Sequence, residues 1–223
     1  MPKITLRTVL IDFIFQDTSL MDHVFLGLPI YSKTEIIIRC FFFFLLSLIL
    51  WSILRSMSLL QIIALFLICH FINWFFNGHG YQIFYKIIGI RYSAQRAVDY
   101  ILRLKEEGER KNLSIMIYGS WSRGEASEES DLDIFIISVE SNFLKSLEMG
   151  FVSLKYRLLA LFALLSVDIY VIDEIDYLRW RSEAKPKEKP IILNDPTSVI
   201  KDIYRREKKL EEFLRDISRL YKA

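Results

Sequence analysis

Apolar and polar residues are distributed along this chain in two different ways. Residues 57–76 read MSLLQIIALFLICHFINWFF, and no Lys, Arg, Asp or Glu occurs between Ser56 and Tyr85. Residues 36–54, IIIRCFFFFLLSLILWSIL, are almost as apolar, with Arg39 near one end. A helix of about 20 such residues, rising ~1.5 Å each, matches the ~30 Å hydrocarbon core of a bilayer. The pattern therefore predicts a two-helix transmembrane hairpin, 36–54 and 57–77, turning at Arg55-Ser56.

From Ser93 onward the pattern becomes that of a folded domain. Ala94, Ala97, Val98, Ile101 and Leu102 recur at helical spacing, ending near Gly108 and Asn112. Residues 114–118 (SIMIY), 132–138 (LDIFIIS) and 167–172 (VDIYVI) read as strands, and 142–165 as a helix with a candidate break at Gly150. The ten uncharged residues 158–167 are too few to span a membrane, so they are expected to pack on the sheet. Residues 177–196 are rich in Lys, Glu and Pro and read as a loop, and 197–221 as a helix. The alternation predicts a small α/β (α+β) domain with a mixed sheet.

Composition sharpens this division. The chain has 223 residues, 52% of them hydrophobic, with a mean hydropathy of +0.27. Residues 1–85 carry 5 Lys/Arg and 4 Asp/Glu, whereas 86–223 carry 24 and 23. The expected organisation is an interfacial segment over 1–35, a hairpin within 36–85, and a domain over 86–223. Lys33 and Arg39 flank one hairpin end and Lys86, Arg91 and Arg96 the other, with Arg55 alone at the turn. The positive-inside tendency then puts the domain in the cytoplasm, on a two-span protein of the cell membrane. A net charge of +2 gives no sign of a broad nucleic-acid surface.

Cys40 and Cys69 fall in the apolar runs without metal-ligand spacing and read as small membrane-buried side chains. His70 and His79 stand either as functional polar groups or as packing and interfacial residues.

Residues 117–137, IYGSWSRGEASEESDLDIFII, carry the candidate chemistry. Asp131 and Asp133 point the same way at the start of a strand, opposite Leu132, Ile134 and Ile136. In 167–172 the core takes Val167, Ile169 and Val171, which leaves Asp168 on the other face. If these strands are neighbours, three carboxylates converge. Carboxylate oxygens suit a hard divalent ion, Mg²⁺ or Mn²⁺, that can carry a nucleoside triphosphate. The Gly119-Ser120 turn lets backbone N–H groups approach phosphates, and Arg123 can fork onto phosphate oxygens.

GSWSRGEASEESDLDIFI resembles the signature of the polymerase β-like nucleotidyltransferases, particularly the minimal ones. Gly119, Ser120, Arg123, Gly124, Ser130, Asp131 and Asp133 match its places, and Asp168 stands where that family carries its third carboxylate. The resemblance covers roughly residues 93–175. It implies that Asp131 and Asp133 hold the metal, that Gly119, Ser120, Arg123 and Ser130 bind the nucleotide, and that Asp168 is a ligand or base. The implied activity moves an NMP from an NTP, with ATP as the expected donor, onto an acceptor and releases pyrophosphate. With the hairpin, the acceptor is expected near the bilayer: a phospholipid, a phosphosugar or a protein. INWFFNGHG ahead of the domain resembles membrane-anchored archaeal members.

The sequence departs from the minimal pattern in the apolar hairpin and in the bulky Trp121 after the turn, which either stacks on a base or packs. Glu125, Glu128 and Glu129 read as a solvated loop. Lys185, Lys187 and Lys189 read as a solvated basic stretch or as contacts to headgroups or substrate. A second class of function is a regulatory, antitoxin-like module that binds nucleotide and acts on a membrane partner.

Overall fold

A computed structural model describes residues 33–53, 58–77, 84–85, 87, 93–126, 130–138, 143–173 and 175–220. Residues 1–32, Arg55 and His79 lie outside them, and with them the hairpin turn and all of the expected interfacial segment 1–35 except 33–35, which begin the first helix. The chain divides into two compact units, Met1–Gly80 and Tyr81–Ala223.

The first unit holds α1 (Lys33–Ile53) and α2 (Leu59–Asn77). Phe43 of α1 packs against Phe66 and His70 of α2, with ring centroids 5.7 and 6.3 Å apart. The His70 and Phe43 rings meet at 87°, edge to face. Cys69 is buried and Cys40 exposed, both as free thiols. Large apolar side chains remain uncovered on both helices, among them Trp51, Leu60, Leu67 and Phe71. Among the described residues no helix is long and apolar enough to cross a membrane. The expected spans at 36–54 and 57–77 are thus present as two packed helices, and a crossing is not shown.

The second unit is built on a four-stranded sheet in the order β3-β2-β1-β4. It follows α3 (Ala94–Lys111), and β1 is Ser114–Tyr118, β2 Leu132–Ile137, β3 Val167–Ile172 and β4 Ile191–Asn194. β1 runs antiparallel to β2 and β4, while β2 and β3 are parallel. The parallel pair needs a crossover, supplied by α5 (Phe143–Phe162), which follows the one-turn helix α4 (Ser120–Arg123). Gly150 is buried within α5 without interrupting it.

Period-two alternation decides which residues the sheet buries. Ile115, Ile117, Leu132, Ile134, Ile136, Val167, Ile169 and Val171 form one core with Ile101 and Leu104 of α3 and with Met149 and Val152 of α5. Phe213 and Ile217 of α8 (Leu210–Leu220) complete it. The other face presents Tyr118, Asp133, Phe135, Asp168 and Tyr170, and α6 (Ile175–Ala184) lies over part of it, with Tyr177 against Phe135.

Two segments differ from the expectation. Residues 177–196, read as a loop, contain most of α6 and all of β4, which pairs with β1 far away in sequence. The C-terminal helix is split into α7 (Val199–Ile203) and α8. Between them Lys208 bridges to Ile191, and its N–H donates to the Pro190 carbonyl at 3.1 Å. That tie to β4 competes with helical hydrogen bonding.

Candidate active site

The site begins where β1 ends. Gly119 has φ +78° and ψ −145°, a conformation that a Cβ disfavours. A Cβ built there would lie 2.0 Å from Asp133 Oδ2, so the turn presses its backbone onto that carboxyl group. The Ser122 hydroxyl donates to the Gly119 carbonyl at 2.9 Å and fixes the turn. Gly124, at φ +73°, ends α4.

Asp133 is the second residue of β2. It faces Tyr118 in the antiparallel register and Asp168 in the parallel one. Asp131 stands just before the strand, and its Oδ1 accepts a hydrogen bond from the Ser166 hydroxyl. Burial, followed by the charges of Asp168 and Asp131, pushes the Asp133 carboxyl up to about 8, and Arg181 opposes the rise. Crowded carboxyl groups thus stand beside Gly119, and ionising all of them together is unfavourable without a cationic partner.

A cavity of about 430 Å³ opens over these groups, lined by Tyr118, Gly119, Ser120, Arg123, Ser130, Asp131, Asp133, Arg181 and Lys185. Asp168 stands one strand beyond Asp133 and is not among the lining residues. Asp173 follows the far end of β3, five residues past Asp168, or roughly 16 Å along an extended strand. It is remote from the other carboxylates.

Arg123 is committed to two carboxylates. Its Nε donates to Glu125 at 2.7 Å and its Nη1 to Glu188 at 3.2 Å. Glu188 is buried and also holds Arg181, accepting from Nη2 at 2.9 Å and from Nε at 3.2 Å. The Arg181 guanidinium lies 4.4 Å over the Tyr118 ring and 5.3 Å from Phe135. Burial disfavours its charge, but Tyr118, Tyr177 and Glu188 outweigh that and hold it firmly protonated. The sequence reading missed Arg181 and Glu188, because a Lys- and Glu-rich tract carries no signal that one of its glutamates is buried.

Lys185 is at the cavity rim, where partial burial and then the Arg181 charge lower its pKa; Lys187 and Lys189 are exposed. Trp121 is buried and meets Phe213 edge-on, with centroids 5.5 Å apart. It belongs to the core, which leaves its ring unavailable for stacking on a base.

Among the described residues no group of three or more His, Cys, Asp or Glu side chains is set to hold a metal ion. The donor chemistry nevertheless fits a hard divalent cation: the groups are carboxylates, they crowd one another, and the Asp133 carboxyl is raised by its anionic neighbours. The present rotamers do not gather three of them on one point.

A family model described as nucleotidyltransferase domain matches residues 99–220, more than half of the chain. The chain belongs to this family. It is accordingly a nucleotidyltransferase, an enzyme that moves an NMP unit from an NTP. No curated protein and no solved structure matches it.

Proposed function

We propose that this nucleotidyltransferase is tethered to the cell membrane by α1 and α2 and transfers an NMP from ATP or another NTP to an acceptor near the bilayer. The observation that carries the catalytic part is the Asp133–Asp168 pairing in parallel register, with the Gly119 backbone packed against Asp133.

In this reading the backbone at Gly119 and the hydroxyls of Ser120 and Ser130 hold the triphosphate, and the Arg123 guanidinium, already paired to Glu125 and Glu188, adds positive charge to the same cavity. Asp131 and Asp133, with Asp168 as a third donor, would hold Mg²⁺ or Mn²⁺. A divalent ion there neutralises charge on the triphosphate and on the departing pyrophosphate. Asp168, the carboxylate next to Asp133, accepts the proton of the attacking acceptor group or completes the ligand set. The acceptor oxygen bonds to the α-phosphorus, the bond to the β-phosphate oxygen breaks, and pyrophosphate leaves.

Support for the tether comes from large apolar side chains left exposed on both helices: Phe44 and Trp51 on α1, Leu60, Leu67 and Phe71 on α2. Apolar surface of this extent on a helix pair suits a lipid environment. The acceptor is then a phospholipid, a phosphosugar or a protein within reach of the cytoplasmic face.

Two measurements test the reading. Pyrophosphate release from Mg²⁺·NTP in the presence of membrane extract is expected of the enzyme; binding without release would instead indicate a regulatory module. The protein should stay with membranes through an alkaline carbonate wash, and in right-side-out vesicles residues 86–223 should resist external protease. Cleavage at Lys185 to Lys189 from outside would overturn the orientation.

A further inference from the structure

Three cations line the cavity, and they are not equally available. Arg123 is spanned by Glu125 and Glu188, and Arg181 is held by both oxygens of Glu188. Lys185 has no ion-pair partner among the described residues. It directly follows α6, and its N–H donates to the Arg181 carbonyl at 2.9 Å, so the helical turn carries on through it. Spacing of i, i+4 places the two side chains on the same face. Both line the cavity that also holds Gly119 and Ser120. A flexible ammonium with no carboxylate at ion-pair distance among the described residues, lining a cavity whose other cations are engaged, suits a ligand with mobile anionic charge.

We infer that Lys185 binds the phosphate tail of the NTP and the pyrophosphate product, serving as the free cation of the site while Glu188 keeps the two arginines in place. The assignment rests on the nucleotidyltransferase reading. It gives the tract 177–196 a task in substrate binding, with α6 forming the wall opposite the Gly119-Ser120 turn. The ligand class is a polyphosphate, since a single ammonium on a long stem tracks charge rather than shape.

The test is calorimetric binding of inorganic pyrophosphate and of ATP, each with Mg²⁺, to the full-length protein. Parental protein is compared with Lys185→Ala, Lys185→Arg and Lys187→Ala. One charge-assisted contact from a rim position corresponds to about a ten-fold change in affinity. Lys185→Ala should therefore bind both ligands about ten-fold more weakly, while Lys185→Arg recovers most of the loss. Lys187 is exposed and outside the cavity lining, so Lys187→Ala should match the parent. A parental protein that binds either ligand, with Lys185→Ala binding it equally well, overturns the Lys185 assignment alone. A parental protein that binds neither overturns the underlying nucleotidyltransferase reading as well.

Discussion

Asp133 and Asp168 face each other in the register of two parallel strands, on the sheet face opposite the helical core. Neighbouring strands lie only about 4.8 Å apart, so the fold keeps two like charges adjacent at some cost. Evolution of a purely structural sheet would have no use for that pairing, whereas a site for a cationic ligand does.

The cost should be measurable as a pH dependence of stability. The Asp133 carboxyl is raised to about 8 in the fold, against ~3.9 for an aspartate in water. Below the unfolded-state pKa the group is protonated in both states and the stability is fully present; it is lost as pH rises through the folded-state value. In EDTA, melting temperature should therefore fall between about pH 4 and pH 8. Asp133→Asn should abolish most of that decline, and Mg²⁺ should restore the parental protein at pH 8. Thermal melts across this range, with and without metal, check all three.

Gly119→Ala tests the close approach of the turn. The new Cβ would need to occupy space within 2.0 Å of Asp133 Oδ2, at φ +78°. Backbone strain alone costs about 1–3 kcal/mol, and the clash must displace Asp133 as well. Urea denaturation should show that loss, and turnover should fall by more than the fraction unfolded. Gly124→Ala, with no atom within 4 Å of its Cβ, should show only the strain of its own positive φ.

The strands and the faces of their carboxylates were legible in the sequence because both follow local period-two alternation. Leu132, Ile134 and Ile136 mark the core side of β2 by themselves, and Asp133 is then assigned to the other face. The Gly119-Ser120 turn was legible because a positive φ favours glycine. What escaped was non-local. β4 is four residues long and exists by pairing with β1, about 75 residues earlier. Glu188 is buried because Arg123 and Arg181 converge on it from different elements, a fact that no window around position 188 contains. The resemblance to minimal nucleotidyltransferases had likewise ended near residue 175, short of this wall of the cavity.

Glu188→Gln should expose how much that convergence matters. The substitution keeps shape but leaves the buried Arg181 guanidinium without its carboxylate and Arg123 with Glu125 alone. Removing one partner of a buried ion pair costs about 3–5 kcal/mol. Chemical denaturation should show a loss of that order. Glu125→Gln, at the exposed end of the Arg123 pairing, should change stability by less than about 1 kcal/mol.

Asp168→Asn separates binding from chemistry. Asp168 is not among the cavity-lining residues, so Mg²⁺·ATP should bind with little change. Transfer should drop by at least about a hundred-fold, since the acceptor loses its base or a ligand at the moment of attack. Calorimetry alongside single-turnover kinetics distinguishes the two effects. Transfer at the parental rate would make Asp168 an ordinary strand carboxylate. Asp173 offers no substitute at the far end of β3.

Labelling in native membranes tests whether the carboxylates beside Gly119 serve nucleotidyl transfer there. Full-length protein in native membranes is incubated with Mg²⁺ and each of the four NTPs labelled at the α-phosphate, in parallel with Asp133→Asn. Stoichiometric pyrophosphate release and appearance of label on one membrane-associated acceptor are expected, with both reduced by orders of magnitude in Asp133→Asn. Equal labelling by parent and variant, or no pyrophosphate release with any of the four nucleotides, would contradict that role.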